Sequence, residues 1–202
     1  MNKAEKCRCS WCGDEPLYCD YHDKEWGVPV FDEQQLFELL ILEGAQAGLS
    51  WITVLRKRDN YRKAFSEFDP EKIARFTPAK IQNLMQNQGV IRNRLKIESV
   101  IKNAQAMLAM KKNGEIFSEF LWGFVNHHPI QNNLRGWQDA VASTAESDAM
   151  SKALKKRGFN FVGSTICYAF MQACGMVNDH FVDCFRHQEC ASLAKKLPRP
   201  KP

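Results

Sequence analysis

Apolar positions along the chain recur at three- and four-residue spacing, and sustained two-residue alternation is almost absent, which predicts helices and no sheet. Asp32 followed by Gln35 reads as an N-cap with its capping box. Phe31 and Leu36 stand at the two positions of a hydrophobic staple. The helix they open runs through Leu39, Leu40 and Glu43 and stops near Gly48; Ser50 then caps a helix carrying Trp51, Val54 and Leu55. Asp69-Pro70 and Thr77-Pro78 are cap-plus-proline helix starts, and Gly89 ends the second of these helices. A longer helix is expected from about Arg92 to Lys112, with Leu95, Val100, Ala104 and Leu108 on its apolar face. Phe117, Phe120, Leu121 and Phe124 form another amphipathic set. Residues 126–142 are irregular and read as a long loop; its His127-His128 pair receives no role. Ser143 with Glu146 predicts the cap of a helix ending at Lys156-Arg157-Gly158. The expected class is therefore all-α, one domain over residues 1–190 in two helical lobes, with a disordered tail over 191–202.

One pair of helices carries more than packing information. A helix ends at Gly158, a short turn closes at Gly163, and a second helix opens at Ser164, a helix–hairpin–helix arrangement over about 145–175. The free amides at the start of that second helix, around Gly163, Ser164 and Thr165, suit an anion, and Lys155, Lys156 and Arg157 add positive charge nearby. The combination fits a sequence-independent clamp on a phosphate backbone; an ordinary helical hairpin with a solvated basic end has the same local pattern. The net charge of +5, from 28 Lys and Arg against 23 Asp and Glu, permits a polyanionic partner without demanding one.

No run of about 18 apolar residues exists and the N-terminus has no apolar signal core, so a cytoplasmic protein is expected. Eight cysteines in a reducing compartment then read as thiols or metal ligands. His180 and Cys184 are four apart; Cys7, Cys9, Cys12, Cys19 and His22 cluster near the other end. Two donors from each end would make a structural Cys2His2 zinc site that ties the termini together. Spacing alone does not choose among the N-terminal cysteines, and buried cysteines packing as small hydrophobes fit the same pattern.

Glu43 follows a greasy run and precedes the small residues Gly44 and Ala45. Trp11, Tyr18, Tyr21, Trp26 and Trp51 crowd the first quarter of the chain, where they serve either as core or as faces on which a base stacks.

Four segments together resemble the 3-methyladenine DNA glycosylase I family: residues 16–29 (PLYCDYHDKEWGVP), 42–55 (LEGAQAGLSWITVL), 151–159 (SKALKKRGF) and 163–180 (GSTICYAFMQACGMVNDH). The resemblance spans roughly Cys9 to Cys184 and weakens over 126–142 and beyond Cys184. It implies a helix–hairpin–helix glycosylase fold with one structural zinc ion on Cys9, His22, His180 and Cys184. It places the base pocket at Glu43, Tyr21 and Trp51, with Tyr18, Trp26 and Trp11 nearby. It also implies a monomer that flips N3-methylated adenine out of double-stranded DNA and hydrolyses its glycosidic bond, initiating base excision repair. Relatives with this hairpin carry an aspartate shortly after it, and Asn178 falls in that place. Thr165 stands where bifunctional relatives carry a nucleophilic lysine, so a monofunctional hydrolase is implied. A glycosylase for 7-methylguanine or a wider lesion range, and a zinc-stabilised DNA-binding module without catalysis, are the competing readings.

Overall fold

The computed structural model describes residues 6–197 of the chain. Eleven α-helices account for most of them: α1 Pro16–Lys24, α2 Glu33–Gln46, α3 Trp51–Leu55, α4 Arg58–Ala64, α5 Pro70–Ile73, α6 Pro78–Gln86, α7 Arg94–Lys112, α8 Phe117–Trp122, α9 Ala145–Lys156, α10 Ser164–Ala173 and α11 Phe185–Lys195. The expectation of an all-α chain needs one amendment. Ile130–Gln131 (β1) and Val177–Asn178 (β2) form a two-residue parallel ladder, too short to leave an alternation in the sequence.

The helix starts follow their local chemistry. Asp32 accepts from the Gln35 amide, Asp69 from Glu71 and Lys72, and Thr77 from Lys80, each meeting amides that the first helical turn leaves free. Four expectations are corrected. The cap of α9 is Thr144, in a capping box with Ser147, rather than Ser143 with Glu146. α6 stops at Gln86 and is capped at Asn87, ahead of Gly89. Phe31 is not closed down as a staple; it stays substantially exposed and stacks on Trp122, 4.5 Å between centroids. On α7 the buried face is Ile97, Val100, Ile101 and Ala104, while Leu95 is exposed. The tail is corrected in part: 191–195 belong to α11, which buries Cys190 and Ala194, and 198–202 lie outside the described residues.

α2 runs through the middle of the core, with Leu36, Phe37, Leu40 and Leu42 almost fully buried. Two glycines set its surroundings. A Cβ at Gly44 would stand 3.2 Å from both Phe161 Cβ and the Phe161 carbonyl, so α2 touches the α9–α10 turn beside Glu43. At Gly175, φ is +73° and a Cβ would lie 2.4 Å from the Val28 carbonyl carbon, so only glycine admits this crossing of two backbones. The α9–α10 turn is anchored from below. Ser151 donates to the Val162 carbonyl at 2.6 Å, and Asn103 bonds both backbone groups of Asn160, at 2.7 and 3.0 Å.

Candidate active site

The five aromatic residues singled out above, Trp11, Tyr18, Tyr21, Trp26 and Trp51, line one cleft of about 250 Å³ together with Glu43. α1 supplies Tyr18 and Tyr21, α2 supplies Glu43 and Gln46, and Trp51 opens α3 after the turn at Gly48. The rings contact one another as a continuous wall. Trp11 lies 5.0 Å from Tyr18 and 4.9 Å from Trp26, and Tyr21 lies 5.3 Å from Trp51.

Glu43 is 3 % exposed, and its Oε2 has no hydrogen-bond partner among the described residues. Trp51 Nε1 is likewise buried and unpartnered. Burial pushes the Glu43 carboxyl up to about 8, because removing water disfavours the charged form. Burial, with Glu43 as the second cause, also raises Tyr21 well above its usual range. An unpaired buried acceptor and an unpaired buried donor in one cleft are costly in an otherwise well-paired core, and a ligand with complementary N–H and acceptor groups would satisfy them.

The end of α2 is held by Lys96, a buried lysine on α7 that donates to the Ala45 and Ala47 carbonyls at 2.8 and 2.6 Å. These are C-terminal carbonyls that the helix cannot pair itself, and a cation there also complements the helix dipole. Lys96 thereby fixes the turn joining Glu43 to Trp51. On its other side that turn, at Gly48 and Leu49, borders a groove of about 170 Å³ shared with Thr165 and Ile166 of α10.

The cysteine ambiguity resolves in three dimensions. Ligand atoms of Cys9, His22, His180 and Cys184 lie within 4.8 Å of one another, all four residues buried. Cys9 Sγ is 3.6 Å from His180 Nδ1. Cys184 Sγ is 3.4 Å from His22 Nε2 and 3.6 Å from His180 Nδ1. Bonds of about 2.3 Å to sulfur and about 2.1 Å to nitrogen in a tetrahedron require S···N edges of about 3.6 Å, so the donor set fits zinc in type and spacing. The far side of each imidazole is also occupied: His22 Nδ1 meets Asp23 at 2.8 Å and His180 Nε2 meets the Trp26 carbonyl at 3.0 Å, the outer contacts that orient metal-bound histidines. Cys12 and Cys19 instead turn to the Gly13 carbonyl, and Cys7 is exposed. Because Trp26 is both a cleft wall and the His180 acceptor, the cluster buttresses the cleft from behind.

In the hairpin, Lys155, Lys156 and Thr165 are exposed, and Gly163 has open space where a Cβ would project. Arg157 does not join them. It is bound to Glu115 at 2.6 Å and lies 4.1 Å over the Phe120 ring. Asn178 also leaves its expected place; its amide bonds Gln131 and the His187 carbonyl, away from the cleft. The residue that reaches the cleft is Asp179. The irregular segment contributes Leu134, Trp137 and Ala140 to the cleft wall, a role without any periodic signal in the sequence. His127 and His128 stand apart from it.

The chain matches the model of the methyladenine glycosylase family over residues 11–187. It is 59 % identical over 177 residues to a DNA-3-methyladenine glycosylase of Haemophilus influenzae, covering 88 % of this chain and 96 % of that protein. It is 56 % identical to DNA-3-methyladenine glycosylase 1 of Escherichia coli, covering 88 % and 95 %. A crystal structure of a 3-methyladenine DNA glycosylase I superposes with a TM-score of 0.88 at 55 % identity, covering 89 % of this chain and 98 % of that one. A variant of another such enzyme, solved in complex with 3-methyladenine, superposes at 0.85 with 36 % identity, covering 88 % and 96 %. With the family model matched over most of its length and two relatives above half identity, the chain belongs to the methyladenine glycosylase family.

Proposed function

We propose that this DNA glycosylase removes 3-methyladenine from alkylated double-stranded DNA, acting as a monofunctional hydrolase of the N-glycosyl bond. One observation carries the assignment of the site: a fully buried glutamate with a free oxygen, Glu43, inside a cleft walled by aromatic rings. The names of the relatives supply the substrate class.

Methylation at N3 leaves the adenine of DNA cationic. Its departure releases a neutral base, so the leaving group needs no general acid. What the protein must supply is extraction of the nucleotide, recognition of the base and stabilisation of the sugar cation. Glu43 accepts hydrogen bonds from the N–H groups of the base, and Trp51 Nε1 is a second polar contact. Trp51 and Tyr21 stack on the ring, and cation–π attraction of about 2 kcal/mol when desolvated favours the methylated over the normal base. Gly163, Ser164 and Thr165, with Lys156 beside them, form the helix–hairpin–helix contact with the phosphate backbone.

Cys9, His22, His180 and Cys184 hold a structural zinc ion. Four protein donors leave no open coordination position, so its contribution is to link the two ends of the chain. The test is release of free base from methylated duplex DNA, followed by chromatography, with 3-methyladenine and 7-methylguanine substrates in parallel. Release of 3-methyladenine supports the reading; release of 7-methylguanine alone, or of no base, contradicts it.

A further inference from the structure

Lys96 is a buried ammonium that base recognition does not use. It is 9 % exposed, and both of its acceptors are backbone carbonyls, Ala45 at 2.8 Å and Ala47 at 2.6 Å. Taking a charge out of water costs stability, so a lysine kept there for two carbonyls points to a task in the segment that bears them. That segment changes character within a few residues. Glu43, Gly44 and Ala45 are buried, Gly48, Leu49 and Ser50 are exposed, and Trp51 is buried again. Core packing therefore holds Glu43 and Trp51 directly, while the turn between them lacks that support. Gly48, at a φ of +76°, has nothing within 4 Å of where a Cβ would stand. Among the described residues, the side-chain bonds from another helix to the backbone of 45–50 are the two from Lys96. Lys96 is itself anchored in the first turn of α7, where Asn93 accepts from its amide at 3.1 Å and Ser99 donates to its carbonyl at 2.7 Å. Burial alone raises the Glu43 carboxyl, so the ammonium acts through the backbone and not on the charge of Glu43.

We propose that Lys96 is a positioning residue for excision: it holds the exposed turn 47–50 in register with the start of α10, so that DNA gripped by the hairpin presents its base squarely to Glu43 and Trp51. The inference rests on the glycosylase reading above. Two hollows meet at this turn. Glu43 and Gln46 line both the aromatic cleft and the groove that Ala47, Gly48 and Leu49 share with Thr165 and Ile166. A base still attached to its strand must satisfy cleft and groove together, whereas a free base needs the cleft alone. Loss of the two Lys96 bonds leaves Glu43 and the rings in place and releases the edge between the hollows. A misplacement of about 1 Å at a reacting centre can cost about 100-fold in rate. The carbonyls lie at the C-terminal end of α2, where the helix cannot pair them and its dipole favours a cation, so an apolar side chain of the same length does not replace the ammonium.

The test compares the full-length wild type with Lys96→Met, which keeps the stem and removes the ammonium, both purified without chelator. Single-turnover release of 3-methyladenine from methylated duplex DNA is measured beside affinity for free 3-methyladenine, well below the melting temperature of the variant. Lys96→Met should excise about 10- to 100-fold more slowly, with free-base affinity within about threefold of wild type. A lysine that only stabilises the fold would lower the melting temperature and leave excision by the folded protein unchanged, so excision within about threefold of wild type overturns the proposal. Equal losses of excision and free-base affinity overturn it too, because they place the effect in the cleft itself and not between cleft and groove. Should Lys96→Met not fold, Lys96→Gln, which keeps a donor for one carbonyl, should excise about tenfold more slowly at unchanged free-base affinity, and a wild-type rate there overturns the proposal equally. If the wild type itself releases no methylated base, the glycosylase reading fails instead.

Discussion

Replacing Glu43 by Gln should stabilise the ligand-free protein at neutral and alkaline pH while impairing it as an enzyme. The carboxyl is fully buried and is pushed from 4.5 to about 8 by burial alone. At roughly 1.4 kcal/mol per pH unit, that displacement amounts to about 5 kcal/mol as a ceiling, which local relaxation and entering water will reduce. The direction follows from proton binding. Below about 4.5 the carboxyl is neutral in folded and unfolded chains, and Glu43 carries no charge penalty. Between about 4.5 and about 8 the unfolded chain gives up the proton while the folded chain keeps it, so stability falls as pH rises. Glutamine has the same shape and does not titrate. The stability difference between Glu43→Gln and wild type should therefore grow with pH, by about 2–5 kcal/mol between pH 5 and pH 8.5, and other titrating groups cancel in the comparison. Urea denaturation of both proteins at four or five pH values measures this directly. A difference that changes by less than about 0.5 kcal/mol over that range would refute the buried, unpartnered state of Glu43.

Treatment with a chelator, or changing Cys184 to Ser, should release the proposed zinc tie between residues 171 apart, Cys9 and His180. The entropy of closing so long a loop is about 5 kcal/mol, so the melting temperature should drop by roughly 10–20 °C, and a drop below about 3 °C, or no zinc by elemental analysis, argues against the clasp. Gly175→Ala places a methyl 2.4 Å from the Val28 carbonyl carbon at a φ of +73° and should cost about 3 kcal/mol or more; a melting temperature unchanged from wild type would show that the crossing can relax. Lys156→Ala should weaken binding to any duplex and lower the salt slope by about one, with free-base affinity unchanged; an unaltered slope removes Lys156 from the phosphate contact.

The parts legible in sequence are those set by local chemistry. Asp69-Pro70 and Thr77-Pro78 announce their helices because cap and first turn lie within four residues. Thr144 was missed for Ser143 because both side chains can cap, and the choice depends on Ser147 closing the box. Sequence spacing offers too many cysteines for the proposed zinc site, and only the family resemblance selects Cys9 among them. In the fold, Cys12 and Cys19 turn to the Gly13 carbonyl while Cys9 meets His180 from across the chain. The aromatic cage was visible as a crowd of rings, but its outer wall was not. Leu134, Trp137 and Ala140 reach the cleft through an irregular segment held by the β1–β2 ladder, and no periodicity records a contact of that range. The same ladder turns Asn178 away and brings Asp179 in, a one-residue distinction that only pairing across the fold can make.

The central claim is that Glu43 in its aromatic cage recognises the methylated base. Single-turnover release of 3-methyladenine from methylated duplex DNA, wild type against Glu43→Gln at pH 7.5, tests it most directly. A cationic base in the cleft favours the ionised form of Glu43, and losing that charged acceptor is a loss of about 2–3 kcal/mol, so excision should be about 30- to 150-fold slower with duplex affinity little changed. Excision by Glu43→Gln at the wild-type rate would contradict the account.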